Sequence, residues 1–97
     1  MKQVTPATVV HRHPEAAYRV IEGAALIVFP REARLVTLNE VGTYIWDHLD
    51  DRTIDEVARA VVEEFDVEPE QALGDTISFI EMLRERGFVV DQESGEG

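Results

Sequence analysis

From Asn39 to about Arg86 the chain reads as three amphipathic helices laid end to end, each with its own start signal, so a main sheet must be built from the residues before them. Asn39 can accept hydrogen bonds from the first free helical N–H groups, and Val41, Tyr44, Ile45, His48 and Leu49 follow at i, i+3, i+4, i+7 and i+8. Asp50-Asp51-Arg52 breaks that helix. Thr53, with Glu56 three residues on, spells a capping box, and Ile54, Val57, Ala58, Val61, Val62 and Phe65 form the stripe of a second helix. Pro69 suits the first position of a third helix, since its missing N–H would have had no partner there. This helix is predicted to run to about Arg86 and to stop at Gly87 in a left-handed C′ conformation.

Ahead of the helices, three β-rich runs, Ala17–Ile21, Ala25–Phe29 and Arg34–Leu38, are separated by Glu22-Gly23 and by Pro30-Arg31-Glu32-Ala33. Gaps this short cannot hold helical crossovers, so the runs predict an antiparallel meander. Residues 1–16 contain Pro6 and Pro14 around Thr8-Val9-Val10, which reads as a short edge strand or an arm. Phe88-Val89-Val90 can return as a short strand, and residues 91–97 read as a disordered acidic tail. The expectation is one α+β domain spanning 1–97, with its core at about 17–90: a three-stranded sheet followed by a three-helix bundle.

At 97 residues and 44% apolar content, one modest core is affordable and a large enclosed active site is not. Twenty acidic against nine basic residues give a net charge of -11, which disfavours phosphate backbones and anionic membranes, and the basic residues are scattered. Cysteine is absent, which removes disulfides, thiol nucleophiles and zinc–thiolate sites. The first residues lack the apolar run of a signal peptide and no stretch approaches a membrane span, so a soluble cytoplasmic protein is expected. His11-x-His13 could begin a metal site, but with His48 distant a surface arm bearing two solvated histidines is the expectation. Paired acids such as Asp50-Asp51 and Glu63-Glu64 sit at caps and polar faces without a nucleophile, and the glycines make no phosphate cradle. No catalysis, metal or cofactor is expected.

The third helix carries more apolar surface than packing on one side requires. At 100° per residue, Leu73, Thr76, Ile77 and Ile80 form a core-facing stripe that Ala72, Phe79 and Leu83 widen to about 160°, against the roughly 100° a surface helix needs. The Phe79 and Met82 flank can line a groove, or the other helices and the Phe88 segment can cover it. Arg34-Leu35-Val36-Thr37, if it lies at a sheet edge, can pair with an incoming strand. A helical unit behind a small sheet also serves DNA-binding regulators. Here, however, the third helix sets Glu70, Asp75, Glu81 and Glu85 against Arg84 and Arg86, and groove-reading helices need donors. An adaptor that forms a homodimer without a peptide ligand is the remaining alternative.

Leu38-Asn39-Glu40, Ile45-Trp46, Asp50 to Thr53 with Ile54, Asp75, Phe79, Leu83 and Gly87 together resemble the pattern of the coenzyme PQQ synthesis protein D (PqqD-like) family, over roughly residues 17–90. The resemblance implies a winged-helix-like fold and a recognition element for ribosomally synthesised, post-translationally modified peptides. It implies that a precursor's leader adds as a strand to the third strand, packs against the third helix, and is presented to a modifying enzyme, often a radical SAM protein. Carried onto this chain, the leader would lie beside Arg34, Leu35, Val36 and Thr37; the apolar flank adds Asp75, Phe79, Met82 and Arg86. Leu38 and Trp46 are expected to be structural anchors. Two departures bear on the pathway more than on the fold: Asp51-Arg52 stands where the family often has Asp-Gly, and Pro30-Arg31-Glu32-Ala33 where PQQ-pathway members carry proline-glutamate-glycine.

Overall fold

The computed structural model describes residues 4–29 and 34–91, so the Pro30-Arg31-Glu32-Ala33 break and the tail 92–97 lie outside it. The order is β1 (Val10–Arg12), β2 (Ala17–Ile21), β3 (Ala24–Phe29), β4 (Arg34–Thr37), α1 (Glu40–His48), α2 (Ile54–Phe65), α3 (Pro69–Glu85) and β5 (Val89–Asp91). β2, β3 and β4 form the expected antiparallel meander, with β3 in the middle. Glu22 (φ 55°) and Gly23 (φ 83°) connect β2 to β3, the two positive φ values that a two-residue hairpin turn matched to strand twist requires.

The helix signals act as read. The Asn39 side chain accepts from the Gly42 N–H, and Thr53 and Glu56 make both bonds of the capping box. At the end of α3, Gly87 takes φ 82° while its N–H bonds to the Arg84 carbonyl and that of Phe88 to Leu83, a Schellman closure that turns the chain into β5. The buried stripes are rotated from the predicted ones. In α1 the core side is Gly42, Thr43, Ile45 and Trp46, with Tyr44 and His48 only half-buried. In α3 it is Ala72, Thr76, Ile80 and Leu83, leaving Leu73 and Ile77 partly covered. In α1 the rotation turns Trp46 inward, where it is wholly buried.

Of the two expectations for the N-terminal segment, the short strand holds, shifted to Val10–Arg12, and the arm does not: Val4 and Val10 are buried in the core, and β1 pairs with β5 in a second, two-stranded antiparallel sheet. The Pro6 and Thr8 carbonyls accept from the Asp55 and Ile54 N–H groups, so this segment also satisfies the first turn of α2. Nor are the histidines solvated. His11 is half-buried 3.7 Å from Asp50, and His13 sets its ring edge-on to Phe29 at 4.8 Å. Asp91, read as the start of the tail, closes β5 and receives two hydrogen bonds from Arg84.

Candidate peptide-binding groove

β4 runs along one margin of the three-stranded sheet, and among the described residues no strand pairs with its outer edge. Leu38 N donates to Ala25 O at 2.8 Å, which continues the phase of the β3–β4 ladder one residue past the strand, while the Ala25 N–H turns to Thr43 Oγ1 at 2.8 Å. Antiparallel alternation then makes Val36↔Ile27 and Arg34↔Phe29 the bonded pairs. The N–H and C=O groups of Leu35 and Thr37 therefore point outward, along the open edge. Side chains alternate in the same rhythm: Val36 packs against the core, while Leu35, 58% exposed, points away from it.

A groove of about 490 Å³ opens between the end of β4, the start of α1 and the flank of α3. Leu38, Val41 and Ile45 form its floor, Phe79 and Met82 its wall, and Thr37 and Asp75 its rim. Gly42 permits this shape, since a Cβ there would come within 3.0 Å of Phe79 Cζ and 3.1 Å of its Cε1. Phe79 and Met82 pack on the core with one side and stay partly open on the other, as the wide apolar arc of the third helix predicts.

Arg34 occupies a different position from Thr37. Its guanidinium lies 5.0 Å from the Phe29 ring and 5.5 Å from the Phe88 ring, and Nη1 donates to the Arg86 carbonyl. A cation at the last carbonyls of α3 meets the negative end of the helix dipole, so Arg34 fastens the strand to the helix terminus. With Arg86 beside Arg34, and Asp75, Phe79 and Met82 around Thr37, α3 runs antiparallel alongside β4.

Of the eight residues predicted for the site, the structure thus gathers Thr37, Asp75, Phe79 and Met82 in one groove. Arg34 and Arg86 meet at its far end through a backbone carbonyl, and Leu35 and Val36 lie on opposite faces of the strand between. Sequence reasoning had Leu38 as an anchor, which its burial supports, and did not assign Val41, Gly42, Ile45 or Ser78 to the groove. The signal available for them was helical: Val41 and Ile45 are i, i+4 on α1, one turn beyond the cap. Among the described residues no helix is long and apolar enough to cross a membrane.

Two solved structures share this fold. One, TbiB1 in complex with the TbiA(beta) leader peptide, aligns with a TM-score of 0.75 over 90% of this chain and 98% of its own, at 17% identity. The other, lasso peptide synthetase B1 complexed with the leader peptide, aligns with the same TM-score of 0.75 over 84% of this chain and 96% of its own, at 22% identity. No curated protein matches the chain at a significant level. The family of coenzyme PQQ synthesis protein D matches residues 25–89, from the core of β3 through all three helices into β5, and the chain belongs to that family.

Proposed function

We propose that this protein is a non-catalytic recognition element that binds the leader of a ribosomally synthesised precursor peptide as an added strand and presents it to a modifying enzyme. The observation that carries the reading is the open edge of β4 running beside an apolar groove on α3. Outward N–H and C=O groups of Leu35 and Thr37 offer sequence-tolerant pairing, and the wall of Phe79 and Met82 offers selection. Family membership and two neighbours solved with leader peptides support the same ligand class. Arg34 and Arg86 support the site by fixing the spacing of strand and helix, whereas Thr37, Asp75, Phe79 and Met82 touch the peptide, and Leu35 and Val36 contribute edge and backing.

The enzyme partner in this reading is of the radical SAM class that the PqqD resemblance implies, and the complex acts in the cytoplasm without nucleic acid or membrane. Calorimetric titration of the folded protein with short precursor peptides encoded beside its gene tests the proposal. Saturable binding to one of them is expected. If none binds while the protein remains folded, the reading fails.

A further inference from the structure

Resting on that reading, we infer that Asp75 makes the groove select a peptide carrying a lysine or arginine next to two apolar side chains spaced two residues apart. The spacing follows from the register. A strand bonded to the edge groups of Leu35 and Thr37 turns the residues opposite Val36 and Leu38 toward the groove, and those two positions are separated by one outward residue. Both face the apolar floor and wall of Leu38, Val41, Ile45, Phe79 and Met82.

The charge preference follows from what surrounds Asp75. It lies four residues before Phe79 and seven before Met82, on the same face of α3, so it borders the apolar wall. Among the described residues it is the one charged residue lining the groove, and it makes no ion pair with any of them. The nearby polar side chain of Asn39 is already committed to the Gly42 N–H at 2.8 Å. Arg34, the cation at the far end, is occupied by the Arg86 carbonyl and two aromatic rings. A bound strand would cover the groove, displace water and so lower the effective dielectric at the Asp75 carboxylate, which strengthens its attraction for a cation. The net charge of -11 acts in the same direction at longer range.

Selection from a random-peptide phage library on the wild-type protein and on an Asp75→Lys variant tests this, with the strongest wild-type peptide then synthesised and titrated by fluorescence anisotropy. Wild type is expected to enrich lysine or arginine beside an apolar-x-apolar pattern, and Asp75→Lys to exchange that preference for aspartate or glutamate. Asp75→Asn should weaken the synthesised peptide by about two- to fivefold at low salt, the range of a largely exposed ion pair. If both proteins enrich the same charge, or wild type enriches none, Asp75 is not the selector; strand pairing then still stands provided a Thr37→Pro variant loses the peptide. If nothing is enriched, or Thr37→Pro binds as well as wild type, strand pairing and the selection built on it both fall.

Discussion

At the scale of single residues, one ring and the glycine it packs against shape the groove, and another pair shows how charge stabilises the fold behind it. Phe79 is held against α1 only because Gly42 has no side chain. Gly42→Ala should therefore push the ring into the groove and weaken peptide binding, although alanine is the better helix former by about 1 kcal/mol. Phe79→Ala should also weaken binding, by removing the wall. Measured together by anisotropy and thermal melting, the two substitutions are expected to cost affinity; a Gly42→Ala protein that binds as well as wild type would show that the ring yields without consequence. At the β2 margin of the sheet, opposite β4, Asp50 accepts from the Arg12 backbone N–H at 3.1 Å and from Nη2 at 2.9 Å, while Arg12 Nη1 reaches the Tyr18 hydroxyl at 3.1 Å. Burial disfavours the Asp50 carboxylate, but the bonds from Arg12 outweigh it and hold the group below its ordinary value of 3.8. The folded state thus binds this proton less readily than the unfolded chain. Its contribution is complete above the ordinary carboxylate range and is lost as pH falls through the lower folded value. The difference in melting temperature between wild type and Asp50→Asn should be largest near neutrality, a few degrees given the partial exposure of the pair, and should shrink in acid. A difference independent of pH would remove Asp50 from the acid response.

At the scale of elements, the proposed function depends on β4 having an outer edge that no other described strand pairs with. Thr37 directs its N–H to that edge, not to β3, so Thr37→Pro removes a donor for the incoming strand while leaving the β3–β4 ladder its bonds at Val36 and Leu38. Loss of peptide binding with a retained cooperative melt is the expected result. A variant that keeps full affinity would place the peptide elsewhere. The helices were legible in the sequence because their stops and starts are local chemistry: an Asn39 cap, a Thr53/Glu56 box, Pro69 and Gly87 act within a few residues of where they stand. The meander was legible for the same reason, since consecutive runs with short breaks have few ways to pair. What could not be read was rotation and long-range pairing. Which face of α1 turns inward, the one that leaves Trp46 wholly buried, is a matter of tertiary packing, and β1 and β5 are three-residue strands from opposite ends of the chain with no local signal for each other. The site shows the same division. Alternation along Arg34–Thr37 implies two faces, yet only the Phe29 and Phe88 rings and the Arg86 carbonyl reveal that Arg34 serves as a fastening while Thr37 lines the groove.

At the scale of the whole molecule, the antiparallel β1–β5 pairing closes the fold, joining residues near the two ends of the described chain. This pairing changes what counts as the domain. Val10 is wholly buried and Val4 nearly so, and each contributes roughly 1.5–3 kcal/mol by leaving water. The Pro6 and Thr8 carbonyls add two backbone bonds at the start of α2, each worth about 0.5–1.5 kcal/mol, and the strand adds its own pairing with Val89 to Asp91. Against the 5–15 kcal/mol that roughly spans the stability of natural domains, losing these contributions together removes most of the margin. A chain beginning at Ala17 retains the sheet, the helices and the groove residues, and would look complete from its sequence pattern. It is nevertheless expected to lose its cooperative urea transition, or to keep one with a much lower midpoint, and to bind peptide only as far as it remains folded. A truncated protein that melts like the full chain would show that the three-stranded sheet and three helices suffice, and that the β1–β5 closure is an addition to the fold instead of a part of its core.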